Sequence, residues 1–367
     1  MKIFTFLILL VFFPVLSHAT KVKNLYEVKW PILTQNPKER TEAINMAFDE
    51  LMIRITGDQA ISTQPLAAEL YENAQKFVRQ FRYEPMPIPD YIDTEMLDPE
   101  DPLLQQRQQI SILFDEQALK DTIWQKQLPI WGEIRPNTLV WLAIQNDRSR
   151  ILFDGNQPSE IRYQLRQIAK KRGIPMVFPL LDLQDQIAIN VNDVWGNFAE
   201  PIQQASMRYD AEAVLSGRVM QEATGAWQVR WVMYQADQMP IAWTAQVADL
   251  SLLASSGIDG VANSLAQKYA HISSGGADND ILLRVVGIHS LKDYARASRY
   301  VESLSLISKL HVSQIDADKI VFRIGLRSNR KDLEQAISLS DVLRPQSLDE
   351  QEQMIATERL MNYRLQP

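Results

Sequence analysis

The chain has 367 residues, of which 46% are hydrophobic and 23% charged, so several globular domains are expected rather than disorder or a coiled coil. A formal charge of −7 argues against a nucleic-acid binder, which needs clustered Lys and Arg. The absence of cysteine removes disulfides, cysteine-ligated zinc, iron–sulfur clusters and thiol nucleophiles, and none of the 13 glycines builds a phosphate-cradling loop.

Lys2, an apolar run over 3–16 and Ser17-His18-Ala19 read as a secretory signal peptide, residues 1–19, cleaved before Thr20. The run is shorter than the roughly 20 residues that span a bilayer. No cysteine follows it, so a lipoprotein anchor is excluded and a periplasmic mature chain without a transmembrane segment is expected.

The first folded unit, 20–128, is predicted to be α+β. A strand ends at Pro31, and Asn36-Pro37-Lys38-Glu39 provides a cap, a first-turn proline and a capping-box glutamate. Ile44, Phe48, Leu51 and Ile55 then share one helical face, which Gly57 terminates. A second helix is predicted over 65–78, leading to Phe81-Arg82-Tyr83. The proline-broken stretch 85–102 carries Asp90, Asp93, Glu95, Asp98, Glu100 and Asp101 and reads as an extended surface loop. A strand over 109–114 and a helix over 117–127 complete the unit.

Residues 137–271 are predicted to form a central α/β domain. The apolar run 138–144 suits a strand buried on both faces. Helices over 159–172, 200–209 and 252–269 surround a strand at 213–219 and an antiparallel hairpin, 226–234 with 241–247. On that hairpin Trp227, Trp231 and Trp243 are the candidate binding residues, since indoles arranged this way supply either a contact surface or core packing. After Ser273-Ser274-Gly275-Gly276, residues 279–345 give βαββα with a possible last strand, a ferredoxin-like α+β pattern, and 346–367 reads as a tail.

Chemistry-bearing patterns are few. His271, His289 and His311 lack a metal-ligand spacing, and Asp278-Asn279-Asp280 lacks the later glycine and glutamate of a calcium loop. No metal or cofactor is expected, and no residue is assigned as catalytic.

The first unit carries the words Leu25-Tyr26-Glu27-Val28, Ile53-Arg54-Ile55-Thr56-Gly57 and Phe81-Arg82-Tyr83-Glu84-Pro85. With the segment from Tyr209 to Val219 and the Trp227 to Trp231 strand, they resemble an exported proteobacterial family described as domain of unknown function 2066. The resemblance spans most of 24–270 and implies an envelope protein without assigned activity or catalytic residues. The expectation is therefore a non-catalytic periplasmic protein of cell-envelope assembly or maintenance, partnered by an envelope protein or a cell-wall component. A carboxylate-dependent hydrolase and a carrier of a small envelope ligand are the competing readings.

Overall fold

The computed structural model describes residues 20–97, 107–146, 149–236, 238–272, 280–347 and 360–367. The signal segment 1–19, the linker 273–276 and Asp98, Glu100 and Asp101 of the acidic loop lie outside the described residues. Those described form a mixed α/β protein with ten α-helices and four sheets. None of their helices is long and apolar enough to cross a membrane.

The described residues open with β1 (Thr20–Lys21) and β2 (Glu27–Ile32), followed by α1 (Pro37–Thr56). Asn36 caps α1 through the Glu39 amide, but the Glu39 carboxylate accepts from the Leu33 and Thr34 amides, reaching beyond the expected capping box. Ala47, Phe48, Leu51, Met52 and Ile55 of α1 are buried without exposed surface, and Gly57 ends the helix in the left-handed conformation. The predicted 65–78 helix is instead a 3-10 turn, the short α2 (Ala68–Glu72) and another 3-10 turn. The break falls at Asn73, whose side chain and main-chain amide both turn back to the Glu69 carbonyl and end the helix locally. Next come β3 (Val78–Pro85), β4 (Gln108–Phe114) and α3 (Glu116–Gln125), with β2, β4 and β3 forming an antiparallel sheet in that order.

β5 (Ile134–Arg135) pairs with β1, so Thr20 and Lys21 are tied to the segment just before the central unit. That unit contains β6 (Thr138–Asn146), β7 (Ser149–Leu152), α4 (Glu160–Arg172), β8 (Met176–Val177) and the short helices α5 (Leu183–Ala188), α6 (Val191–Gly196) and α7 (Ala199–Ser206). β9 (Ala213–Gln221), β10 (Trp227–Gln235), β11 (Ile241–Val247) and α8 (Leu250–Tyr269) complete it. The sheet runs β11-β10-β9-β6-β7, with β8 beside β6, and β6 is parallel to both β9 and β8. β6 is buried on both sides, as its continuous apolar run requires: Val140, Leu142 and Ile144 meet the core under α4 and α8, and Leu139, Trp141 and Ala143 meet the core under α6 and α7.

The last unit holds β12 (Asp280–Val286), α9 (Leu291–Ser303), β13 (Ile307–Ile315), β14 (Lys319–Leu326), α10 (Arg330–Ser338), β15 (Leu343–Pro345) and β16 (Leu360–Leu365). Its order is β13-β14-β12-β16-β15. Residues 360–365, read from sequence as tail, lie parallel to β12 and separate it from β15, so the sheet has five strands. Met361, Tyr363 and Leu365 alternate into the core, a period-2 signal too short to stand out at the chain end.

Candidate functional site: a cationic cleft beside a buried arginine junction

Three arginines meet where the first and central units join. Arg135 has no exposed surface and donates five hydrogen bonds, all to main-chain carbonyls: Gly132, Trp131, Arg54, Arg172 and Gly173, at 2.8–3.1 Å. Its guanidinium also lies 4.0 Å from the Trp131 ring centroid. The acceptors explain why this cation can be buried. Arg54 lies in the last turn of α1, and Arg172 and Gly173 end α4, so the charge occupies the negative ends of two helix dipoles. Burial, reinforced by repulsion from Arg54 and Arg172, lowers its pKa to about 9, which leaves it cationic at neutral pH.

Arg54 repeats the device. It donates to the carbonyls of Leu25, Glu27 and Lys171 and pairs with Glu50 at 2.6 Å. Arg172 closes the group through the Gly57 carbonyl, Asn263 at 2.7 Å and Asp259 at 3.3 Å. The β2 backbone and α4 are therefore held in fixed register by charged hydrogen bonds, and the space between them is pre-formed.

That space is a cleft with two lobes of about 310 and 520 Å³ that share Glu27, Lys29, Arg54 and Lys170. One wall is β2, and the other is the polar side of α4. α4 points Ile161, Leu165 and Ala169 into the central core, leaving Arg166, Lys170 and Lys171 exposed. The lining carries eight cations against Glu27, Glu50 and Asp90, the reverse of the chain's net charge. Lys21, Lys29, Arg54 and Arg162 are neutralised by Glu133, Glu84, Glu50 and Asp90. Among the described residues, Lys23, Arg166, Lys170 and Lys171 have no carboxylate within ion-pair distance. Glu50 sits at the base of the larger lobe. Burial pushes its carboxyl up, and Arg54, Lys171 and Lys170 oppose the shift.

Such a lining can bind and orient an anion. Each lining carboxylate is paired with a neighbouring cation: Glu50 with Arg54, Glu27 with Arg82 and Asp90 with Arg162. Among the described residues, no three His, Asp or Glu side chains converge to hold a metal.

The sequence-predicted residues fall elsewhere. Trp231 is 0% exposed, and its indole fills the space over Gly217 and Gly257. Trp243 lies directly opposite it, half-buried over Gly260, and both indoles donate to Ser256, one to the hydroxyl and the other to the carbonyl. Trp227 is half-buried on the same face against the same core. A sheet face covered by a helix with Ser256, Gly257 and Gly260 toward it receives indoles as packing. Of the acidic loop, Asp90 lines the cleft, whereas Asp93 caps the turn that follows it through the Glu95 amide. The three histidines are apart in function too: His271 faces Asp332, His289 precedes the cap of α9, and His311 lies exposed on β13.

Sequence reading missed the cleft because its residues carry no shared motif. The one local signal is Lys170-Lys171-Arg172 before Gly173, a pattern that ordinarily only complements the helix dipole. Nothing in the sequence links it to Arg54 or Arg135.

A family model described as Domain of unknown function (DUF8605) matches residues 19–132, which span the first unit and end just before Arg135. This corrects the resemblance drawn from sequence words, which pointed to a different domain of unknown function. Those words encode secondary structure rather than chemistry: Ile53 to Gly57 is a helix end with a left-handed cap, and 213–219 is a buried strand. Such patterns recur wherever the same local structure does. No curated protein matches the chain in sequence.

Proposed function

We propose that the protein is an exported, non-catalytic binding protein of the cell envelope, and that its ligand is a small anionic molecule held in the cleft between β2 and α4. The carrying observation is the set of unneutralised cations, Lys23, Arg166, Lys170 and Lys171, gathered on a pre-formed cleft of an acidic chain. Lobes of this size suit a phosphorylated or polycarboxylated molecule rather than a polymer wrapped over the surface. Envelope assembly or maintenance is the setting that export and anion binding support together. We read the last unit as a ferredoxin-like βαββα core widened by β16 and serving as an interaction module.

Export adds to the site. Thr20 lines the smaller lobe, and cleavage after Ala19 puts a new α-ammonium group there. Amino-terminal sequencing of protein recovered from a periplasmic fraction is expected to begin at Thr20; a chain retaining Met1 contradicts export with cleavage. Binding is tested by calorimetric titration of the mature chain with tripolyphosphate, citrate and glucose. Saturable binding of both anions without glucose binding supports the reading, and equal behaviour of all three rejects it.

A further inference from the structure

A second surface lies on the far edge of the central sheet. β11 is an end strand, and none of its described residues makes a main-chain hydrogen bond outside its ladder with β10. Exposed strand edges are normally blunted by lysine, proline or a bulge, because their free amides and carbonyls template further pairing. β11 has none of these. Its sequence IAWTAQV is uncharged and lacks proline, and its register with β10 is unbroken from Val247 to Ile241. Trp243, Ala245 and Val247 pack on the side toward α8, while Ala242, Thr244 and Gln246 are exposed on the other.

The exposed side has a charge signature. Arg218, Arg230 and Thr244 stand in one row across β9, β10 and β11. The two arginines are directly opposed and exposed, and neither has a carboxylate within ion-pair distance among the described residues. Like charges directly opposite each other on a sheet are unfavourable. They line a groove of about 460 Å³ that contains no acidic residue, and Arg218 lies 5.8 Å from the Trp195 ring. A strand added beside β11 would sit at the usual spacing of about 4.8 Å, so its residue opposite Thr244 lies within combined reach of Arg230 and a glutamate side chain.

We propose that β11 is a docking edge for an extended segment of a partner protein that adds as a strand and carries carboxylates at alternate positions. The ladder supplies affinity and the Arg230–Arg218 row supplies selectivity. A second copy of this chain fits less well, because its own β11 brings no carboxylate to the row. This proposal is independent of the cleft.

The test uses the mature full chain and three synthetic peptides, VEVEVEV, VKVKVKV and VEVPVEV, with hydrogen exchange across 241–247 and anisotropy for affinity. VEVEVEV is expected to slow exchange in β11 and to bind best, since proline breaks the ladder and lysine meets the arginines. Arg230→Glu is expected to weaken VEVEVEV about three- to fivefold, the scale of a cross-strand charge pair, and to improve VKVKVKV. That gain cannot come from a misfolded variant. Thr244→Glu is expected to weaken VEVEVEV by setting a carboxylate opposite its own, and Lys170→Glu to leave it unchanged. Equal binding of the three peptides, unchanged exchange in 241–247, or dependence on Lys170 overturns the proposal. So does a concentration-dependent dimer that Thr244→Glu abolishes, which would assign the edge to a second copy.

Discussion

Arg135 donates through one guanidinium nitrogen to the carbonyl of Arg54, 81 residues earlier, and through another to the carbonyl of Arg172, 37 residues later. A single buried side chain thereby joins the ends of α1 and α4 and sets the width of the cleft between the units that carry them.

Replacing Arg135 with methionine leaves five main-chain carbonyls, four of them in buried hydrogen bonds, without this donor. The expected loss is about 3–5 kcal/mol of stability by denaturant unfolding. Lysine restores the charge but not the planar fork, so Arg135→Lys is expected to recover only part of it. A loss below about 1 kcal/mol for Arg135→Met would show that the junction does not depend on this residue.

The tryptophan hairpin makes the opposite demand. A Cβ at Gly257 would lie 2.7 Å from the Trp231 ring, and one at Gly260 would lie 2.4 Å from the Trp243 ring. Each alanine substitution is expected to cost about 1–3 kcal/mol through overpacking, against about 3–5 kcal/mol for Trp231→Ala. Thermal unfolding of the three variants checks this. An unchanged midpoint for Gly257→Ala and Gly260→Ala would mean that the indoles have room to withdraw.

His271 pairs its backbone with Ile130 and faces Asp332 on α10, so it touches all three units. Burial holds its pKa below the ordinary 6.5, with Asp332 opposing. The unfolded chain therefore binds the proton more readily. The contribution of His271 is complete above pH 6.5 and is lost as pH falls through the folded value. Unfolding free energies measured from pH 7.5 downward should decline more steeply for the wild-type protein than for His271→Gln. Parallel curves would remove His271 from the acid response.

The legible parts of this molecule are those written in local pattern. α1 announced itself by its cap, apolar face and Gly57, and β6 by an apolar run that both faces bury. Less was legible where a local competitor intervened, as at Asn73, or where pairing joins distant segments, as β16 does with β12. The hairpin was visible, but burial of Trp231 depends on Gly257 in a helix 26 residues further on, so core and contact surface could not be separated from sequence alone. The cleft was hidden altogether. Its cations come from residues 21–54 and 162–171, and in the sequence each of them resembles an ordinary solvated side chain.

The central claim is that unneutralised cations on α4 bind an anion. Its most direct test is the tripolyphosphate affinity of the mature chain, of Lys170→Glu/Lys171→Glu and of Arg230→Glu, each at low and high salt. The double variant should bind at least about tenfold more weakly, with a shallower salt dependence, because two attractive charges become repulsive. Arg230→Glu, on the remote sheet face, should match the wild-type protein. Equal affinity in the wild-type protein and the double variant would contradict the cleft as the binding site.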